Sequence, residues 1–244
     1  MHDYTHPAPS APSSHAAHGA QRVGIAHSIE ASPDFAYLNI NLRAGETVLV
    51  EASSMATMSP NIKMKTRARG GLSRLLTGES IFINEFTAEE TPGRIELAPA
   101  APGDLTHVSL DQESIYLQSA AFLASSAGVQ VDSQFQGMRG FFSGEGLFLA
   151  RCHGTGDLWF NSYGGLIKRE VNGEYVVDTG HMVAFTEGLD YRVESVAGLK
   201  SFFFSGEGLV CRFSGRGTVW IQTRTLAPFL SWLWPFRPSK KSNN

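Results

Sequence analysis

The sequence predicts an all-β protein in which one β-sandwich unit occurs three times, with the three units packed around a pseudo-threefold axis. Two observations lead to this prediction. Short segments return at a nearly fixed spacing, and apolar and polar residues alternate with the period of a half-buried strand. In addition, no long window of the 244 residues has convincing helical periodicity, apart from a turn or two near residues 72–76.

The repeat is clearest in the second half of the chain. Residues 141–147 (FFSGEGL) return as residues 203–209, and weaker counterparts lie upstream. An opening Glu recurs at 46, 113 and 174, a Gly-Glu turn has its Glu at 79, 145 and 207, and a later Gly recurs at 93, 156 and 217. Every step is therefore 61 to 67 residues. This spacing predicts repeats over residues 22–105, 106–166 and 167–226.

Each repeat is expected to consist of strands joined by tight turns. Residues 62–65 and 191–194 alternate between apolar and polar side chains, as half-buried strands do. Structural hairpin turns are predicted at Gly78, Gly144 and Gly206, because glycine accepts positive φ without a steric clash. A unit of this size would bury only about 60% of its unfolded surface, so we expect one body over residues 22–226.

Composition and charge exclude several classes of protein. The formal net charge of −3 argues against DNA binding, which requires cations to neutralise several phosphates. Two cysteines, Cys152 and Cys211, are too few for a disulfide framework and suit a reducing compartment, so we expect a cytoplasmic location. Residues 1–21 are rich in Ala, Pro, Ser and His without a secretory pattern, and we expect a disordered tail.

Several short motifs resemble the bacterial branch of the altered-inheritance-of-mitochondria (mitochondrial biogenesis) family. They extend from about residue 45 to residue 224: 78–82 (GESIF), 98–99 (AP), 102–104 (PGD), 121–125 (AFLAS), 163–165 (YGG), 177–181 (VDTGH) and 219–224 (VWIQTR). The resemblance implies a fold like that of the tryptophan RNA-binding attenuation protein, of the double-stranded β-helix type. The resemblance implies no catalytic residues. Similarity of fold alone does not justify a prediction of tryptophan or RNA binding.

Three patterns that could indicate catalysis or metal binding are interpreted as structural. The Asp178-Thr179-Gly180 segment resembles an aspartic-protease signature, but no other repeat supplies the second Asp that such chemistry needs. Cys152 and His153 are adjacent on a strand, so their side chains point to opposite faces. The histidines of the body, His27, His107, His153 and His181, are scattered along the sequence without a His-x-His pair. We therefore predict no enzyme activity, no metal and no cofactor.

Two surfaces remain as candidate binding sites. Basic residues at alternate positions share one strand face, and a further Arg follows: Lys63, Lys65, Arg67, Arg69 and Arg74. They are interpreted either as an anion-binding or lipid-binding stripe or as a solvated sheet edge. The C-terminal tail, residues 227–244, carries Trp232, Trp234 and Phe236 before basic residues. It is expected either to lie on a bilayer or to pack against this protein or a neighbouring subunit.

These features favour a non-enzymatic scaffold or binding protein that forms a homo-oligomer. The first alternative is a peripheral membrane protein that binds anionic lipid through the basic strand and the aromatic tail. A weaker alternative is RNA binding by the basic strand, which the net charge of −3 disfavours.

Overall fold

The structure, a computed structural model, describes residues 24–67, 83–135, 148–195 and 209–237. Within these ranges there are fifteen strands, two short 3-10 helices and one α-helix. Every strand-to-strand ladder is antiparallel. The all-β prediction is confirmed.

The strands fall into three consecutive subdomains. The first subdomain contains β1 (Ala26–Glu30), β2 (Tyr37–Leu42), β3 (Thr47–Glu51), β4 (Met55–Met58), β5 (Ile62–Arg67), β6 (Ile83–Ala88) and β7 (Gly93–Leu97). The second contains β8 (Leu105–Gln118), β9 (Phe122–Ser126), β10 (Val129–Phe135) and β11 (Phe148–Asn161), with a 3-10 helix at Ser119–Ala121. The third contains β12 (Leu166–Asp178), β13 (Met182–Thr186), β14 (Leu189–Ser195) and β15 (Leu209–Gln222). It is followed by α1 (Leu226–Leu233) and a 3-10 helix at Trp234–Phe236.

Ladders connect the strands within each subdomain. In the second subdomain β11 pairs with β8, β9 and β10, and in the third subdomain β15 pairs with β12, β13 and β14. In the first subdomain β6 pairs with β3 and β5, and β7 pairs with β2 and β4. Strands β11 and β15 thus each pair with three strands of their own subdomain, whereas β6 and β7 each pair with two.

Two ladders join strands of all three subdomains into one large sheet. Strand β9 of the second subdomain pairs with β3 of the first, and β13 of the third pairs with β8 of the second. The larger sheet follows the order β12-β15-β13-β8-β11-β9-β3-β6-β5, and a smaller sheet has the order β1-β2-β7-β4. The larger path therefore ends at β12 and β5, and the smaller sheet ends at β1 and β4.

The hydrophobic core consists of three clusters, and each extends across a junction. The first subdomain is filled by residues such as Leu38, Ile40 and Phe86, together with Trp159 from the second subdomain. The cluster of the second subdomain includes Trp220 from the third. The third cluster, built around residues of β13 and β15, takes Leu149 from the second subdomain. Burial of these apolar side chains stabilises the junctions as well as the separate subdomains.

Two of the repeated glycines are required by a close approach. Backbone N–H groups donate to a hydroxyl oxygen at matching places in the three subdomains: Arg94 to Ser59 Oγ at 2.9 Å, Asp157 to Ser126 Oγ at 2.8 Å and Thr218 to Thr186 Oγ1 at 3.0 Å. Each donor follows one of the repeated glycines. A Cβ at Gly156 would collide with Ser126 Oγ, and one at Gly217 would collide with Thr186 Oγ1.

Some predicted elements lie outside the described residues. These are the turns at Gly78, Gly144 and Gly206, the helical turn near residues 72–76 and the N-terminal tail at residues 1–21. Helix α1 was not expected from the sequence. Its eight residues are fewer than the window of about 11–18 residues over which a helical period is recognised. Pro228 is tolerated because it lies in the first turn. In the described ranges, no helix has the length and apolar character needed to cross a bilayer.

Candidate functional site

The C-terminal segment, defined as residues 226–237, presents an unusual number of large apolar side chains to solvent. Between 42% and 71% of each side chain is exposed in Leu226, Phe229, Leu230, Trp232, Leu233, Trp234 and Phe236. No residue of α1 or of the following 3-10 helix is buried. The rings contact each other in series, with centroids 6.1 Å apart for Phe229 and Trp232 and 5.6 Å apart for Trp232 and Phe236. An exposed apolar surface of this kind is typical of an interaction site.

The charged residues next to the C-terminal segment in the sequence are all basic. The Arg237 guanidinium lies 3.6 Å from the centroid of the Trp234 ring, a cation–π contact. No acidic residue follows Glu207 in the sequence, whereas Arg224, Lys240 and Lys241 flank the segment. One edge-to-face contact, between Phe229 and Tyr163 at 6.1 Å, links the helix to the β body. The segment therefore combines exposed rings with an excess of cations.

The predicted basic stripe is partly neutralised by acids of the neighbouring strand. Lys63 and Lys65 lie on β5, as predicted, at one end of the larger sheet. Lys63 Nζ is 2.6 Å from Glu89 Oε1, and Lys65 lies directly opposite Glu85 in the ladder between β5 and β6. The side chain of Arg67 and the residues Arg69 and Arg74 lie outside the described residues. The two described lysines thus form a mixed-charge edge rather than a cationic surface.

A histidine–aspartate cluster joins the first two subdomains, and it was not predicted from the sequence. The rings of His27 on β1 and His107 on β8 are 4.3 Å apart, although the two residues are far apart in the sequence. His107 Nε2 is 2.9 Å from Asp157 Oδ1, while the Ile25 N–H donates to Asp157 Oδ2 at 2.8 Å. Burial lowers the pKa of His107, and the hydrogen bond to Asp157 opposes that shift. Both rings also contact Trp159.

The cluster has a structural role at the junction of the first two subdomains. Both oxygens of the buried Asp157 are occupied, one by a backbone N–H and one by an imidazole, so the carboxylate fastens the start of β1 to the second subdomain. A shallow open groove of about 290 Å³ lies beside it, lined by residues that include Gly24, Thr47 and Gly128. Among the described residues, no group of three or more His, Cys, Asp or Glu side chains could hold a metal ion.

The other residues considered for catalysis have structural partners. Asp178 Oδ1 accepts the Gly180 N–H at 2.8 Å, which closes a turn after β12. Cys152 and Cys211 are buried, and burial raises the pKa of each thiol to about 12, so neither is a thiolate at neutral pH. His153 Nε2 lies 3.0 Å from Asp132 Oδ2.

Glu51 at the end of β3 has an unusual acidity that the sequence did not suggest. Its side chain is half-buried next to β6, and burial raises its pKa from 4.5 to about 7. The Ser54 hydroxyl donates to Glu51 Oε2 at 3.2 Å and lowers the pKa by a smaller amount. The carboxyl group is therefore partly protonated near neutral pH.

Comparison with known proteins identifies the family. The sequence model of the family described as mitochondrial biogenesis AIM24 matches residues 27–224. The chain belongs to the AIM24 family. It is 29% identical over 229 residues to an uncharacterized protein from Streptococcus pyogenes serotype M6, covering 88% of this chain and 92% of that one. An X-ray structure of a Streptococcus pyogenes protein is similar to this AIM24 chain with a TM-score of 0.75 and 28% identity, covering 87% of this chain and all of that one.

Proposed function

We propose that this AIM24-family protein is a non-enzymatic, cytoplasmic scaffold or binding protein that associates with itself, with the C-terminal segment as a contact surface. The observation that carries the proposal is the exposure of Trp232, Trp234 and Phe236, at 65%, 61% and 71%. Burying a large apolar side chain contributes about 1.5–3 kcal/mol. Three rings that are about two-thirds exposed would then contribute about 3–6 kcal/mol to an interface, before the cost of association.

We further propose that the three subdomains are diverged copies of one unit over residues 22–105, 106–166 and 167–226, related to the double-stranded β-helix. Support comes from the common pairing scheme and from the three N–H-to-hydroxyl bonds at Ser59, Ser126 and Thr186. The predicted pseudo-threefold axis would require a third junction between the third subdomain and the first. Among the described residues, no ladder joins β12 to β4.

The test of the scaffold proposal is light scattering on size-exclusion fractions of the full chain over a range of concentrations. We expect a mass above 26.5 kDa that rises with concentration. Replacement of Trp232, Trp234 and Phe236 by Ser should lower the fraction of the assembled form. The matched control replaces the exposed Phe35 by Ser, since its side chain is 72% exposed but lies in the β body. A monomer at every concentration would refute self-association.

A second function, peripheral binding to an anionic membrane, is favoured by the positive charge around the same rings. Trp and Phe side chains beside Arg and Lys suit the headgroup region of a bilayer. Co-sedimentation with phosphatidylcholine vesicles, with and without phosphatidylglycerol, should show binding that needs the anionic lipid and the three rings. We expect neutralisation of Lys63 and Lys65 to have little effect, because these side chains face Glu89 and Glu85. The same compensation weakens the case for RNA binding by this strand.

A further inference from the structure

The two junctions inside the chain have the same geometry. At the first, Ala124, Ser125 and Ser126 of β9 lie opposite Val50, Leu49 and Val48 of β3. At the second, Ala184, Phe185 and Thr186 of β13 lie opposite Leu117, Tyr116 and Ile115 of β8. In each case a five-residue strand of the later subdomain pairs, antiparallel, with three residues of a strand of the earlier one. The chain thus contains one kind of contact twice.

Strand β4 is the counterpart of β9 and β13 in the first subdomain. Against its partner strand β7, β4 pairs Met55 with Leu97 and then skips one residue, so that Thr57 faces Glu96. Strands β9 and β13 skip one residue at the same place. The hydroxyl bond of Ser59 corresponds to those of Ser126 and Thr186. Therefore Thr57, Met58 and Ser59 correspond to the residues that form the two internal junctions.

The end of β12 is the counterpart of the edges that receive β9 and β13. Opposite β15, Val177 pairs with Cys211, just as Leu117 of β8 pairs with Ala150 of β11. Residues 175–177 therefore correspond to residues 115–117, which receive β13. Strand β12 ends the larger sheet, and its ladders within the described ranges run only to β15.

The burial of these strands reflects the difference between occupied and unoccupied junctions. The first four residues of β9 and of β13 are buried, whereas β4 has no buried residue. Met58 is 41% exposed, and Val176 on the other edge is 45% exposed. Their counterparts at the second junction, Phe185 and Tyr116, stack with ring centroids 5.0 Å apart. Met58 and Val176 thus correspond to two residues that pack together at the second junction, but each of them is exposed at a sheet edge.

We propose that β4 of one molecule adds to β12 of a second copy of this chain, which places Thr57 opposite Val177, Met58 opposite Val176 and Ser59 opposite Tyr175. The proposal specifies a surface for the self-association proposed above and rests on it. Exposed strand edges in natural proteins are commonly protected by charged side chains. Neither of these two segments carries a charged residue, as expected of edges that pair.

The proposed contact is head-to-tail, because one molecule supplies β4 and the other supplies β12. Every molecule then keeps one free edge of each kind, so association continues until the rotation closes a ring or produces a filament. A symmetric dimer that uses the C-terminal segment on both sides would stop at two copies. An assembly of two copies would therefore indicate the C-terminal segment, and a larger assembly would indicate the contact between β4 and β12.

Disulfide trapping tests the register directly. Met58→Cys and Val176→Cys are prepared as separate full-length chains, mixed and oxidised gently. Directly opposed strand residues have Cβ atoms about 4.5–5.5 Å apart, within reach of a disulfide after small adjustment. We expect a covalent dimer from the mixture and little from either chain alone, since the native cysteines are buried. The control pairs Met64→Cys with Val176→Cys, because Met64 is 53% exposed on β5 at another sheet edge.

A second measurement uses Val176→Lys and Met58→Lys, which place a charge in the proposed ladder. Each should weaken association by about tenfold or more, whereas Met64→Lys should leave it unchanged. No cross-link in the mixture, with association abolished only by the aromatic substitutions, would overturn this inference and keep the proposed function. A monomeric wild-type chain would overturn both. An intramolecular disulfide in the doubly substituted chain would also overturn it, because β4 would then reach β12 of its own molecule.

Discussion

Replacement of Glu51 by Gln should stabilise the protein at alkaline pH and have almost no effect in acid. The folded protein raises the pKa of this carboxyl from 4.5 to about 7 through burial. The folded state therefore holds the proton more tightly than the unfolded state, and this stabilisation is present below pH 4.5 and lost as the pH rises through 7. A shift of this size corresponds to at most about 3 kcal/mol of unfolding free energy. Gln keeps an oxygen that accepts the Ser54 hydroxyl but has no charge to bury.

The assay is guanidinium unfolding of wild type and Glu51→Gln at pH 4.5 and pH 8.5. We expect the variant to exceed the wild type by about 2–3 kcal/mol at pH 8.5 and by less than about 0.5 kcal/mol at pH 4.5. Glu90→Gln, at an exposed position, is the control and should leave the unfolding free energy unchanged at both pH values. An equal difference between wild type and Glu51→Gln at the two pH values would refute the argument from burial.

Three further predictions concern the features that hold the fold together. Asp157→Ala should lower the unfolding free energy by about 2–4 kcal/mol, because it leaves the Ile25 N–H and His107 without their acceptor. A loss of unfolding free energy below about 0.5 kcal/mol in urea would contradict this role. Gly156→Ala should lower the unfolding free energy by about 2 kcal/mol or more, because the new Cβ collides with the Ser126 hydroxyl. Gly165→Ala should lower it by less than about 1 kcal/mol, because the nearest atom to its Cβ is 3.5 Å away. The two buried thiols, with pKa values of about 12, should resist iodoacetamide at pH 8 in the native state and react after unfolding; rapid native labelling, followed by mass spectrometry, would exclude their burial.

Local features of the fold could be predicted from the sequence. The strand around Lys63 and Lys65 was visible because alternation is a property of neighbouring residues. The recurrence of Gly156 and Gly217 was visible in the same way, and the structure adds its cause, which is the hydroxyl group packed against each glycine. The exposed rings of the C-terminal tail were also recognised as a candidate surface.

Features that depend on contacts between distant residues could not be predicted. Glu85 and Glu89, which face the lysines of β5, lie about twenty residues away in the sequence, on or just after the neighbouring strand β6. His27 and His107 are far apart in the sequence and meet where Asp157 fastens the start of β1 to the second subdomain. Helix α1 was missed for another reason. A helix of eight residues is too short for a hydrophobic period to be recognised, so nothing in its pattern separates it from an extended tail.

The central claim is that one kind of strand contact occurs twice inside the molecule, while one strand edge of the same kind is unpaired at each end of the series. The most direct test is amide hydrogen exchange of β4, β9 and β13, measured by mass spectrometry on the full chain. At the lowest workable concentration we expect the amides of β9 and β13 to exchange slowly, since both strands are paired on two sides, and those of β4 to exchange quickly. Protection of β4 should then increase with protein concentration. Protection of β4 equal to that of β9 and β13 in the dilute monomer would contradict the claim.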